Sequence, residues 1–306
     1  MNISDINKET WNEKLKSSPY QTPFHDAFLI DVFINELGGN YSLYCVENEN
    51  KYWLVPVFYG EPWYRDVSVF ATSAVGYGGP LPLHGITNIN HEFIAIKKVI
   101  RFLEGYLQKS FNKGVLYPFI DWENMIDKSG ETFIIDMGTD IDDTFSHILT
   151  GNARTAIRKA EKSGLIVKQP ENKKELEEAY GLIINTQKLV SSSYMTPYSL
   201  LERFFKEKEL PIKIYLALYK DIIVSVVVLL ENEKHSFHWL HGWNRDYAKF
   251  CGNQFLIWFM IRSCIEKGCL KLNLGACHTE EQKKAKMRWG AKPRKILNLT
   301  SKEIKL

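Results

Sequence analysis

Arg154, Arg158 and Lys162 recur at i, i+4 and i+8 of the segment NARTAIRKAEKSG, with Lys159 beside them. On a helix that spacing places them in one row. The two arginines suit a bidentate grip on phosphate or carboxylate, although a solvated helix face produces the same stripe. A second basic group, KKAKMRWGAKP at 283–293, combines lysines and an arginine with Trp289, Gly290 and Pro293; alone it reads equally as a surface loop. The glycine-rich run Gly76-Tyr77-Gly78-Gly79-Pro80 interrupts regular structure and lets a partner approach the backbone closely. It serves either as a plain turn or as the wall of a ligand site.

Other chemistries are disfavoured. His235, His238 and His241 invite a metal, but strand alternation sends 235 and 241 to one face and 238 to the other. Residues six apart on a strand lie about 20 Å from each other and cannot share an ion, so no metal is expected. Cys277 and His278 adjoin, yet a nucleophilic thiol needs a base in hydrogen-bond geometry and a third group to orient it. Adjacency supplies neither. The chain lacks G-x-S-x-G, H-E-x-x-H and the phosphate-loop pattern. Asp121 and Glu123 in YPFIDWEN are candidates for a general base, against the commoner structural role of carboxylates at a strand end.

These residues must be positioned by a chain of 306 residues, 45% apolar and 25% charged, enough for about two domains. Its net charge of +3 makes any basic surface local, and DNA is not an expected partner. Five cysteines without a CxxC pair fit a reducing compartment. The start, MNISDINKETWNEKLKSS, has no apolar core of a signal peptide. The most apolar window, Phe255–Ile265, falls short of the roughly 20 residues a membrane span needs. A cytoplasmic protein without a transmembrane segment is therefore expected.

Helical periodicity covers 26–37, 91–109, 142–164, 175–190, 197–208 and 254–267. Strand patterns mark YSLYCVE and YWLVPVFY as one hairpin, and IKIYLALY and IIVSVVVLLE as another turning at Lys220-Asp221. HSFHWLHGW and LKLNLG are further strands. The halves share an order of helix, antiparallel strands, helix and strand, dividing near residue 145.

Taken in order, these segments resemble the FemAB/FemX-like family, whose members include aminoacyltransferases that build peptidoglycan cross-bridges, within the GNAT-like acyltransferase superfamily. The resemblance is carried by TPFHDAFLIDVFINELGGNY, VGYGGPL, NARTAIRKAEKSGLIV, NQFLIWFMIRSCIEKGCLKLNLG and KMRWGAKP, spread from about residue 20 to 295. The most specific is R-x-x-I-R-K-A-x-K-x-G.

The resemblance implies an α/β chain of the α+β type. It would consist of two tandem GNAT-like halves, each a mixed, mostly antiparallel sheet flanked by helices: 1–145, joined by a C-terminal strand from 295–306, and 146–294. It implies acyl transfer from aminoacyl-tRNA or acyl-CoA, as co-substrate and not a tightly bound cofactor, to an amine of a cell-envelope precursor. Attack is direct, without a covalent enzyme intermediate. Lys286 of K-x-x-W-G then stands beside the developing charge, held on a short loop by Trp289 and Gly290, with Asp121 as the candidate base. Tyr77, Gly78, Gly79, Arg154, Arg158, Lys159, His241, Trp243 and Arg288 are candidates for binding the acceptor.

The strand before the catalytic loop ends Asn273-Leu274-Gly275, where many relatives carry an acidic residue. The stretch Lys249–Gln254 only partly matches the GNAT pyrophosphate motif, leaving Gly252 and Asn253 as donor-binding candidates. Two alternatives stand beside this reading: an acetyl-CoA-dependent N-acetyltransferase of polysaccharide synthesis with a sugar-linked amine acceptor, and a non-catalytic glycan- or peptide-binding module.

Overall fold

The two strongest hairpins turn on Glu49-Asn50 and Lys220-Asp221, whose φ angles are 51°, 61°, 48° and 66°. A two-residue turn needs such positive φ values to match the twist of its strands. The structure, a computed structural model, describes residues 1–61, 68–117, 122, 130–190, 195–277 and 279–304. The chain divides into two units, residues 1–132 with 294–306, and 133–293. The division at 132/133 lies earlier than the expected 145/146 because the strand Gly130–Asp136 joins the sheet of the second unit.

In the first unit β1 (Asn2–Asp5), β2 (Asn40–Asn48), β3 (Lys51–Tyr59) and β5 (Leu81–Pro82) form a four-stranded sheet. The short β4 (Val69–Phe70) pairs with β6 (Ser110–Phe111). Around them pack α1 (Lys8–Leu15), α2 (Ala27–Leu37) and α3 (Ile89–Leu107), burying Trp11, Trp53, Ile96 and Ile100. The end of the chain returns here: β15 (Asn298–Thr300) pairs with β7 (Lys113–Val115).

His25 ties the glycine-rich turn into this unit. The Thr22 amide donates to its Nδ1 at 2.9 Å, so Nε2 carries the hydrogen given to the Gly78 carbonyl at 2.9 Å. This neutral tautomer is locked in a fully buried site, and burial pushes the imidazole down to about 4. Between its ordinary value and about 4 the unfolded chain binds a proton that the folded chain refuses. The contribution of His25 is therefore complete above pH 6.5, the ordinary value, and is lost as pH falls toward 4. In denaturant titrations across that window His25→Gln should show a flatter stability profile than wild type; parallel profiles would refute the linkage.

The second unit is built on a seven-stranded sheet of order β14-β8-β13-β12-β11-β10-β9. Its strands are β8 (Gly130–Asp136), β9 (Ile166–Lys168), β10 (Ile212–Tyr219), β11 (Ile222–Leu230), β12 (His235–Trp243), β13 (Lys271–Ala276) and β14 (Lys292–Ile296). From β9 to β12 the pairing is antiparallel, and β12 runs parallel to β13. The apolar run of β11, interrupted only by Ser225, is buried along almost its whole length, as its composition demands. Its helices are α4 (Ile141–Asp143), α5 (Gly151–Lys162), α6 (Lys173–Leu189), α7 (Tyr198–Lys206), α8 (Gly252–Glu266) and α9 (Glu280–Met287).

Two expectations change here. The helix expected over 142–164 is interrupted: a π-helical turn at Thr144–Ile148 ends at Leu149, and Thr150 caps the new helix α5. Lys286 sits in the last turn of α9, not on a loop, because Thr279 caps the segment EEQKKAKM and two glutamates favour its positive N-terminus. Among the described residues no helix is long and apolar enough to cross a membrane.

Candidate active site

β12 and β13 pair only from His235–Phe237 to Lys271–Asn273, although both strands continue beyond. Beyond that point opens a cavity of about 390 Å³, wholly within the second unit. Asn152, Ala153 and Ala156 of α5, Asn253 and Ile257 of α8, His238 and His241 of β12, and Lys286 and Trp289 lie on its wall. Arg288 lines it as well. Among the described lining residues there is no carboxylate.

The Lys286 ammonium donates to the carbonyls of Gly275 at 3.0 Å and Ala276 at 2.8 Å, and its third hydrogen faces the Cys277 thiol. Burial lowers its pKa, opposed in part by Cys277. Trp289 is 5% exposed and anchors the end of α9, where its amide bonds the Lys286 carbonyl. Next to it the Arg288 carbonyl accepts from both the amide and the hydroxyl of Thr150, the residue that caps α5. The end of the lysine helix and the start of α5 are thus pinned together.

α5 reaches the cavity through its small residues, while its cations turn elsewhere. Arg154 donates to the carbonyls of Ser146 at 2.6 Å and Leu149 at 2.8 Å, satisfying the end of the π-helical turn. Arg158 lies over the Phe145 ring at 5.4 Å, and Lys159 is exposed. None of the three lines the cavity. Trp243 lies beneath Arg245 at 5.9 Å and is also absent from the wall.

Tyr77, Gly78 and Gly79 are buried in the first unit. A Cβ on Gly78 would stand 1.7 Å from the Thr72 carbonyl oxygen, so the glycine is required by backbone packing. Asp121, Glu123 and His278 lie outside the described residues.

The histidines depart from simple alternation. Opposite Val228 and Leu229 stand Leu240 and His238, so the register shifts by one residue and skips Trp239. This bulge reverses the phase of the strand and brings His238 and His241 to the same cavity, with ring centroids 5.3 Å apart. Burial, then His241 and Lys286, hold His238 well below its usual range. The His241 ring is open to the cavity on one side and walled by protein on the other. That wall, and then Lys286, push it down to about 4. Composition hid this placement, because a bulge leaves no mark in a strand pattern. Among the described residues no group of three or more metal-type ligands is gathered.

α8 begins without a side-chain cap: Cys251 precedes it in the left-handed region at φ 61°, and Gly252 packs on Val224. Its first amides have no partner within the helix and stand at its positive end. The buried Oδ1 of Asn253, on the cavity wall, has no partner.

Residues 150–284 match the family model described as an acetyltransferase (GNAT) domain. Over 98% of this chain and 97% of the other, the fold is similar to the crystal structure of FemX, with a TM-score of 0.74 at 10% identity. The chain has a FemX-like fold, and its second unit carries the stretch similar to a GNAT domain. This FemX-like chain is similar as well to a tandem GNAT protein from the clavulanic acid biosynthesis pathway, at TM-score 0.50 and 7% identity over 98% of each chain. It also resembles a conserved protein of unknown function from Bacteroides thetaiotaomicron, at TM-score 0.58 and 10% identity over 97% of this chain and 98% of that one. No curated protein matches it. The cavity of the FemX-like chain lies within the span of the GNAT match except for its last wall, Ala285 to Trp289.

Proposed function

We propose that this chain transfers an acyl or aminoacyl group from an activated donor to an amine, by direct attack in the cavity of the second unit. The observation that carries this reading is one wall that joins a half-buried lysine, two neutral imidazoles and an uncapped helix start, without a carboxylate among its described residues. Attack of an amine on a thioester or ester puts negative charge on the carbonyl oxygen. Lys286 supplies a cation preset beside that charge, and an oxyanion, a better acceptor than a thiol, displaces Cys277 from its third hydrogen.

The first amides of α8 suit a phosphate group, and the unpaired Oδ1 of Asn253 suits an amide N–H of a donor arm. Both favour acyl-CoA as donor. The family resemblance favours aminoacyl-tRNA and an amine on a cell-envelope precursor, with a sugar-linked amine as the other acceptor.

In thermal unfolding, acetyl-CoA at a hundredfold excess over its dissociation constant should stabilise the protein by about 2.7 kcal/mol. Binding of aminoacyl-tRNA should instead weaken steeply with added salt. Mass spectrometry of amine mixtures incubated with each donor decides the activity. Tight donor binding without any acylated product would leave a binding module and overturn the proposal.

A further inference from the structure

We propose that His241 is the general base of this transfer and that His238 positions it, the unpartnered Nε2 of His238 standing behind the cavity ring to accept the N–H of its protonated form. The inference rests on the transferase reading above and assigns the proton path that reading leaves open.

An amine acceptor is an ammonium ion at neutral pH, and it must lose a proton before its nitrogen can attack. Among the described residues that line the cavity there is no Asp, Glu or Tyr; Asn and Gln amides carry no basic nitrogen, and Lys286 and Arg288 are cations. The remaining lone pairs belong to His238 and His241. Their placement is specific. The extra residue Trp239 turns both rings to one side of β12, 5.3 Å apart and tilted by 45°. His241 is exposed toward the cavity, while the Nε2 atom of His238 is sealed from solvent and bonds to nothing. A buried polar atom without a partner is destabilising, so it calls for an explanation. An N–H presented by a protonated His241 would satisfy it.

The groups that act on this pair are few. On β12 each ring faces the other, and from α9 Lys286 faces both. From the loop after β13, Cys277 bonds Lys286. From α8 the wall presents Asn253, Gln254 and Ile257, which do not titrate. The surrounding protein and Lys286 keep both rings uncharged at neutral pH, so the ring of His241 faces the cavity unprotonated.

The step balances without a further reagent. The ammonium gives one proton to His241, and the freed nitrogen lone pair attacks the acyl carbonyl. The C–N bond forms, and the C–S bond of the thioester breaks. The thiolate takes the second proton lost by nitrogen, and His241 returns its own to solvent.

The test uses the full chain with acetyl-CoA and two small amines: ethanolamine, an ammonium at neutral pH, and hydroxylamine, largely neutral there. Release of CoA thiol is followed across pH. His241→Gln should lower the ethanolamine rate about a hundredfold, with a much smaller loss for hydroxylamine and unchanged acetyl-CoA binding. His238→Leu should lower it less and move the acid limb of the wild-type rate profile. Added imidazole should partly restore His241→Ala. An active wild type whose His241→Gln variant keeps its rate, or loses both amines equally, overturns this inference and leaves the transferase reading standing. A wild type that acylates no amine from either acetyl-CoA or aminoacyl-tRNA overturns the transferase reading, and the assignment of a base falls with it.

Discussion

Replacing Lys286 with methionine lowers turnover by about 10²–10³-fold, the usual effect of removing one preset donor at a developing oxyanion, and leaves the fold in place. The lysine is attached at the end of α9, which Trp289 and the Thr150–Arg288 contacts hold independently. The carbonyls of Gly275 and Ala276 that lose its hydrogen bonds are only partly buried, so water replaces the donor at small cost. Turnover and thermal stability must be measured together. A second signature separates a charge effect from a shape effect. Lys286 depresses both imidazoles, so in Lys286→Met the resonances of His238 and His241 should titrate closer to ordinary histidine. Wild-type turnover in Lys286→Met, or loss of turnover that tracks loss of folding, would remove the lysine from the chemistry.

The second large effect is on stability. Gly242 lies on β12 directly after His241, where a Cβ would stand 2.4 Å from the Leu182 carbonyl carbon and 2.5 Å from the Ile183 amide nitrogen of α6. Both obstacles are backbone, so no side chain can rotate aside; helix and strand must separate. Gly242→Ala should therefore destabilise the second unit by ~3 kcal/mol or more, at or beyond the top of the usual range for overpacking. Because the shift acts on the strand that carries both histidines, whatever folded protein remains should also bind acetyl-CoA more weakly. A midpoint of urea unfolding unchanged from wild type would show that α6 does not rest on this glycine.

Much of the architecture was legible in the chain. The hairpins at Glu49-Asn50 and Lys220-Asp221 were marked by β-formers flanking turn residues, and the helix near 254–267 by its apolar run. Pattern rules apply to these because each element carries its own signal. The break at Leu149 was not legible: the apolar and charged positions on either side keep helical spacing, and what ends the first turn is Arg154 bonding back to its carbonyls.

The same division runs through the candidate site. The sequence by itself determined that Lys286, His241, Arg288, Gly252 and Asn253 were the residues to examine, since their types carry charge, lone pairs or backbone access wherever they lie. Only the tertiary structure decided which of them share a cavity. Arg154 and Arg158 have the right chemistry for an anion, yet nearby carbonyls and Phe145 occupy them. His238 was assigned to the wrong face by alternation, and a one-residue register shift at Trp239 reversed it. Residue type sets what a side chain can do. The direction in which it points follows from hydrogen bonds and strand phase made with residues far away in the chain, and no local pattern records those.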